Sequence, residues 1–221
     1  MLTSTTPVLS AAGLRFEEMI AFGSATLHEA QGQTGAMTGL IRPLGEAMRL
    51  AGPAFTVSAH PGDNLVIHYA IARAPAGSVL VVDAGGFLEA GVWGDILTDA
   101  AKARGLIGLV VDGAVRDVEA ICAIGFPVFA RGVSIKGPGK NYGGEIGRTI
   151  SCGGAVVRNG DIIVGDRDGV VVLDADRIDE TLQRAEARTA KEAGVRQAIR
   201  EGRTTVELMN LSPLLERVGL T

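Results

Sequence analysis

Gly94-Asp-Ile-Leu-Thr-Asp-Ala-Ala-Lys-Ala-Arg-Gly-Leu-Ile-Gly-Leu-Val-Val-Asp-Gly-Ala-Val-Arg116-Asp117-Val-Glu119 is the stretch whose reading decides the fold. Leu97, Ala100 and Ala101 recur at helical spacing, which puts Asp95 near a helix N-terminus. Arg104-Gly105 closes that helix. Gly108 to Asp112 is an apolar run bounded by glycines and reads as a buried strand. Arg116 and Asp117 follow in the turn just beyond it. A helix followed by a strand returns the chain to the same edge of a sheet, so Asp95, Arg116 and Asp117 are expected to meet at one rim. Two carboxylates and a guanidinium in one place suit a hard cation and an anionic substrate. Taken alone, an Arg-Asp pair after a strand is more often a surface ion pair or a turn.

Upstream of this stretch, Met1 to Ala12 is rich in Ser and Thr and is expected to be loose. Leu14 to Phe22 reads as a short helix, and Ser24 or Thr26 can cap the next one, through Ala30. Leu40-Ile41 and Phe55 to Ala59 read as strands, separated by Gly45 and by Gly52-Pro53. Asn64 to Ala74 is helical, and Pro75-Ala76-Gly77 ends it. Ser78 to Asp83 is a second buried strand, Ala84-Gly85-Gly86 a flexible turn, and Glu89 to Trp93 the lead into the central stretch. Downstream, Val118 to Ile124 makes a short helix, Phe126 to Ala130 a strand, and Gly132 to Gly147 a glycine-rich loop. Ala155 to Val157, Asp161 to Val164 and Val170 to Leu173 are strands with turns at Asn159-Gly160 and Asp168-Gly169. Asp174 or Asp176 caps a long charged helix running to about Glu201, where Gly202 stops it. A tail, Thr204 to Thr221, bends at Pro213. Helices alternating with strands, then a strand-rich segment, indicate one layered α/β domain over residues 1–221, with the C-terminal helix and tail from about 174.

The 221 residues suffice for one domain with a sizeable core. Hydrophobic residues make up 47% and aromatics only 4%, and mean hydropathy is +0.27; the core is therefore Val, Ile, Leu and Ala. The apolar surplus points to subunit contacts. A net charge of −4 gives no electrostatic case for nucleic-acid binding. Cys122 and Cys152 lie in no Cys-x-x-Cys motif and read as buried thiols of a reducing, cytoplasmic compartment. No signal peptide and no membrane-spanning run is expected.

Several motifs fail. Gly137-Pro138-Gly139-Lys140 lacks the glycine spacing of a phosphate loop, and Asn141 stands where Ser or Thr should follow. His28, His60 and His68 form no His-x-x-x-His pair; His28 and His60 are expected in structural or surface roles. No Gly-x-Ser-x-Gly occurs. The four lysines, Lys102, Lys136, Lys140 and Lys191, all lie outside apolar strands, so none is placed for the desolvation that makes an imine-forming nucleophile.

Asp95 followed after twenty residues by Arg116-Asp117 resembles the signature of the class II pyruvate aldolases, which act on 4-hydroxy-4-methyl-2-oxoglutarate and 4-carboxy-4-hydroxy-2-oxoadipate. These share a fold with the regulators of ribonuclease E activity. The resemblance runs roughly from Ser24 to Glu192 and includes Ala25-Thr26-Leu27-His28-Glu29-Ala30, Pro61-Gly62-Asp63-Asn64, Val111 to Asp117, and Asp168-Gly169-Val170-Val171-Val172. It implies a β/β/α swivelling fold of the phosphohistidine-domain type. It also implies that Asp117 ligates Mg²⁺ or Mn²⁺, that Arg116 holds the keto-acid oxygens and stabilises the enolate, and that Asp95 holds a metal-linked water and helps move a proton. Ile96 and Leu97 would offer N–H groups to the substrate carboxylate. Glu192 matches a glutamate that reaches a neighbouring subunit's site, and Asn64, His68 and Lys140 match positions near the substrate's distal end. The implied assembly is a homotrimer or homohexamer acting on a small hydroxy-keto acid, with oxaloacetate decarboxylation as a side activity. The other branch on the same scaffold is a non-catalytic protein regulator of ribonuclease E.

Overall fold

The computed structural model describes residues 15–220, so the expected loose segment Met1 to Ala12 lies outside the described residues. Two short helices come first, Phe16–Phe22 (α1) and Ser24–Ala30 (α2). A two-residue strand Arg42–Pro43 (β1), a long strand Leu50–Ala59 (β2) and helix Leu65–Arg73 (α3) follow. The centre of the chain is Val79–Trp93 (β3), Asp95–Ala103 (α4), Gly108–Val115 (β4), Val118–Ile124 (α5) and Val128–Val133 (β5). Then come Gly144–Ile146 (β6), Ile150–Cys152 (β7), Ala155–Val157 (β8), Ile162–Asp166 (β9) and Gly169–Leu173 (β10). A 3₁₀ turn, Ala175–Arg177, leads into the long helix Ile178–Arg200 (α6), and Thr205–Leu208 (α7) and Ser212–Arg217 (α8) end the described chain.

The main sheet runs β1-β5-β4-β3-β2-β9-β10, and β6 joins the far half of β2. β2, β3, β4 and β5 are parallel to one another, while the pairings of β1, β6, β9 and β10 are antiparallel. Every residue of β4 is buried, as a strand covered on both faces requires. On one face Leu80, Val82, Leu109 and Val111 pack against Ile67, Ala70, Leu97, Ala101 and Ile121 of α3, α4 and α5. On the other, Val79, Val81, Val110 and Phe129 meet Ile150 and Val157 of the β7–β8 hairpin and Ile163 of β9. A third cluster, with Met19, Leu27, Leu173 and Leu182, seats α1, α2 and the start of α6 on β9 and β10. The result is a layered β/β/α domain with a long C-terminal helix.

Several sequence-based boundaries are corrected. The strand expected at Phe55 to Ala59 begins at Leu50, because Gly52 and Pro53 pair with Ile163 and Ile162 of β9 instead of turning. The edge strand is Arg42–Pro43, paired with Ala130 and Phe129, one residue beyond the expected Leu40-Ile41. β3 does not stop at Asp83: after register shifts it pairs again through Phe87, Gly91 and Trp93. The expected loop Gly132 to Gly147 contains β6, which bonds to Val57, Ser58 and Ala59. Cys152 is buried as expected, but Cys122 is exposed. In the seven-residue α5 only Ile121 is fully buried, with Ile124 packed beside it, and Cys122 points outward. No helix among the described residues is long and apolar enough to cross a membrane.

Ser24 does not cap its own helix. The buried Asp166, at the end of β9, does so from across the chain, accepting from Ser24 N–H at 2.6 Å and from Ser24 Oγ–H at 2.6 Å. The same carboxylate accepts from Asp168 N–H at 2.9 Å, which tightens the β9–β10 turn. Asp166→Ala would strand these buried donors, and the expected loss is about 1–3 kcal/mol of unfolding free energy, read from urea denaturation. A loss within about 0.5 kcal/mol, the range of ordinary surface substitutions, would show that water replaces the carboxylate there.

Candidate functional site

Three strands end at one level. Arg116 N–H donates to Trp93 O at 2.8 Å, tying the end of β4 to the end of β3, and Ser134 N–H donates to Val115 O at 2.9 Å, tying in the end of β5. The β3–α4 junction is locked by a buried pair of bonds: Trp93 Nε1–H to Thr98 Oγ at 2.7 Å, and Thr98 Oγ–H to Gly94 O at 2.9 Å. Asp95 is the first residue of α4, and Asp117 directly precedes α5. The chain therefore delivers Asp95, Arg116 and Asp117 to the same rim, as the sequence leads one to expect.

Asp117 has left-handed backbone angles, φ 57° and ψ 39°, which cost a residue with a side chain roughly 1–2 kcal/mol. That twist turns its carboxylate back over β3, where Oδ2 accepts from Asp95 N–H at 3.4 Å and lies 3.3 Å from Arg116 Nε. Oδ1 has no partner among the described residues. Arg116 is engaged only through Nε, and its terminal nitrogens meet no acceptor among the described residues. Asp95, Arg116, Asp117, Val118, Glu119, Ala120, Val133 and Ile135 enclose an open cleft of about 580 Å³. Glu119, Val133 and Ile135 give no sequence signal; Ile135, 92% exposed, stands at the lip.

The donor set fits a hydrated hard cation. Asp117 offers one free carboxylate oxygen and Asp95 lies beside it, while no cluster of three or more His, Cys, Asp or Glu side chains occurs among the described residues. Mg²⁺ characteristically takes one or two carboxylates and keeps its waters. The helix N-terminus departs from expectation. The Ile96 N–H is taken by the Asp95 carboxylate at 2.7 Å, because the short Asp side chain folds back on the first turn. An incoming carboxylate would have to displace it there, and the first N–H of the turn, that of Asp95, already meets Asp117 Oδ2.

Asn64, His68 and Lys140 come together on a neighbouring ledge. Asn64 N–H donates to Gly139 O at 3.1 Å, and Asn64 Nδ2–H donates to Val92 O at 3.1 Å. Asn64 Oδ1 is buried without a partner. Partial burial, and then the positive Lys140 nearby, hold the His68 pKa below the usual histidine value. Glu192 stands apart, on α6, paired with Arg188 at 2.9 Å and Arg196 at 3.5 Å. Nothing among the described residues brings it to the cleft.

The loop carrying Lys140 is anchored by Asp63, a buried residue that the sequence reading placed in a motif but gave no role. Asp63 accepts from the N–H groups of Leu65 at 2.9 Å, Asn141 at 2.6 Å and Tyr142 at 3.3 Å. Burial works to raise the Asp63 carboxyl, but these N–H donors and the nearby His60 outweigh it and hold the pKa below the usual carboxylate range. His60 itself stacks on Tyr142 with ring centroids 4.0 Å apart.

Comparison with known proteins gives the class first. The RraA-like family model, described as Aldolase/RraA, matches residues 24–172, and the chain belongs to that family. Asp95, Arg116 and Asp117 lie inside the matched span, and Glu192 lies beyond it. More particularly, a protein of Halalkalibacterium halodurans with the provisional name 4-hydroxy-4-methyl-2-oxoglutarate aldolase is 42% identical over 163 residues, 74% of this chain and 78% of its own. The RNA-processing inhibitor RraA from Thermus superposes with a TM-score of 0.62 at 29% identity, covering 67% of this chain and 90% of its own. Streptomyces coelicolor RraAS2, described as an unusual member of the RNase ES inhibitor RraA family, gives a TM-score of 0.75 at 26% identity, covering 86% of this chain and 99% of its own.

The Asp63 anchor carries a definite pH sign. Its folded pKa lies below the unfolded value, so the anchoring is fully present above about pH 3.9 and is lost as pH falls through the folded pKa. The amide resonances of Asn141 and Tyr142 should therefore hold steady from neutral pH and move only in acid, and Asp63→Asn should abolish that step. An acid step that persists in the variant would assign the anchor to another group.

Proposed function

We propose that this chain is a divalent-metal-dependent aldolase. It cleaves 4-hydroxy-4-methyl-2-oxoglutarate or 4-carboxy-4-hydroxy-2-oxoadipate to pyruvate plus a second keto acid, pyruvate or oxaloacetate respectively. The observation that carries the reading is the convergence of Arg116, Asp117 and Asp95 on one open cleft. The lysines support it: all four are exposed, and Lys102 and Lys136 are already bonded to Ile124 O and Glu89. None has the desolvated setting of an imine-forming amine.

In this reading Asp117, with waters, holds Mg²⁺ or Mn²⁺. The cation, when bound, acts as a Lewis acid toward the substrate's keto group. Arg116 presents its unpaired terminal nitrogens to the keto-acid oxygens, and the first turn of α4, with Leu97 N–H, faces the substrate carboxylate. Asp95 moves the proton: the C4 hydroxyl loses one, the C3–C4 bond breaks, its electrons pass to the pyruvate enolate, and C3 takes a proton up. Oxaloacetate decarboxylation passes through the same enolate and is the expected side activity. His68, Lys140 and Asn64 form the ledge for the distal carboxylate.

The assembly proposed is a homotrimer or a hexamer built from trimers. Exposed Ile135, Ile96 and Val133 beside the cleft support it, as does α6, where no residue from Glu186 to the end of the described chain is buried. An arm so little embedded in its own domain can place Glu192 at a neighbour's cleft. The second reading, a ribonuclease E regulator, draws on the likeness to the two RraA structures.

A lactate-dehydrogenase-coupled assay on the two hydroxy-keto acids separates these readings. Activity should vanish in EDTA and return with Mg²⁺ or Mn²⁺. Asp117→Asn should weaken metal binding while keeping the fold, since Asn tolerates left-handed backbone. Pyruvate release undiminished by EDTA, with borohydride trapping of substrate on a lysine, would replace the metal mechanism. Absence of any pyruvate release, together with inhibition of ribonuclease E, would favour the regulator.

The enolate oxygen gains charge only as the bond breaks, so a fixed guanidinium aids the transition state more than bound substrate. Arg116→Ala should cut kcat about 10²–10³-fold, for aldol cleavage and oxaloacetate decarboxylation together. Arg116→Lys should recover only part, since an ammonium cannot copy a two-pronged contact. A folded Arg116→Ala variant with near-native rates in both reactions would remove Arg116 from the chemistry.

A further inference from the structure

Gly94 separates β3 from α4, and its backbone angles, φ −153° and ψ −167°, lie in the extended region open to any residue. The chain's own conformation does not call for glycine there; the site does. A Cβ on Gly94 would lie 2.3 Å from Asp117 Oδ2 and 3.2 Å from both Cγ and Nε of Arg116. Both groups ride on fixed backbone, so a Cβ there is accommodated only by turning the carboxylate or the guanidinium out of its place. Asp117 is a short side chain on a left-handed backbone at the start of α5. Arg116 is tied through its N–H to Trp93 O at 2.8 Å. Its Cβ lies 3.0 Å from where a side chain on Gly91 would begin, and its Nη1 lies 3.4 Å from the same point on Gly137. Glycines thus flank the Arg116 side chain from Cβ to Nη1, and of these Gly94 alone also meets the Asp117 carboxylate.

The geometry points to Gly94 as the positioning residue of the site: its missing side chain is the space in which the Asp117 carboxylate and the Arg116 guanidinium settle side by side. The inference rests on the reading that Asp117 holds the cation and Arg116 the keto acid. Gly94 touches neither substrate nor metal. It acts by setting the separation of the two groups that do, and so differs from Asp95, whose carboxylate takes part itself.

Two measurements on the full chain test this. In the first, free Mn²⁺ is followed by electron paramagnetic resonance during titration of the protein. Wild type should bind Mn²⁺, and Gly94→Ala should bind about 10–100-fold more weakly, as when the groups supporting a metal ligand are disturbed. Unchanged Mn²⁺ affinity in a folded Gly94→Ala variant overturns the inference. If wild type binds no Mn²⁺, the metal reading fails, and the steric claim is judged by the second measurement alone. This is a double-mutant cycle of thermal stability between Gly94→Ala and Asp117→Gly. The glycine at 117 keeps the left-handed backbone without strain and removes the carboxylate. Gly94→Ala should lower Tm in wild type and lower it far less in the Asp117→Gly background. Equal losses in both backgrounds would make Gly94 an ordinary structural glycine and overturn the proposal. If Gly94→Ala alone does not fold, refolding of the double variant supports the inference, and its failure to fold overturns it.

Discussion

A left-handed residue bearing a carboxylate is the constraint on which the site depends. Between β4 and α5 there is no loop: the strand ends at Val115 and the helix starts at Val118. So abrupt a reversal asks one residue to adopt φ near +57°, and that residue is Asp117. The strain, on the order of 1–2 kcal/mol, is offset by what surrounds it. β4 is buried along its whole length, Arg116 N–H is bonded across to Trp93 O, and Ile121 N–H closes the first helical turn on Asp117 O at 3.0 Å. A carboxylate held this way rides on a strand end and a helix start, which position a group more sharply than a flexible loop can.

The central stretch was legible because each signal in it agreed with the next. The helix begins at Asp95, the buried strand begins at Gly108, and Val118–Ile124 is helical, all where spacing and glycine stops put them. Elsewhere local signals misled. Ala84-Gly85-Gly86 has the composition of a turn, and both glycines do take positive φ, yet β3 re-enters the sheet beyond them because β4 still offers unpaired backbone as far as Val115. Gly52-Pro53 looks like a break, but proline is tolerated where β2 changes partners from β9 to β3. Side-chain direction was the least legible property. Spacing could place Ile96 at a helix N-terminus, but only coordinates show that Asp95 claims its N–H. Glu192 sits on the expected helix, and its partners Arg188 and Arg196, four residues to either side, are the ones helical spacing offers.

One scaffold carries two kinds of protein, and the fold does not choose between them. The share of the chain that such a relative matches does not choose either. The Thermus inhibitor covers 67% of this chain, but RraAS2 covers 86%. What favours the proposed enzyme is the rim itself: among the described residues one oxygen of Asp117 and the terminal nitrogens of Arg116 have no partner, and both side chains line the cleft.

The course of β3 has a consequence for how this architecture tolerates change. Between the pairs Asp83↔Asp112 and Trp93↔Val115 the strand advances ten residues (83 to 93) while its neighbour advances three (112 to 115). The surplus bows outward with Leu88 and Glu89 at its exposed crest. Both ends of the bow are pinned to β4, so its length and the position of Trp93 are independent. Residues could be gained or lost at the crest without moving Gly94 or Asp95 by a measurable amount. Only the crest between the paired Phe87 and Gly91 is slack, and variation in length there is absorbed before it reaches the rim.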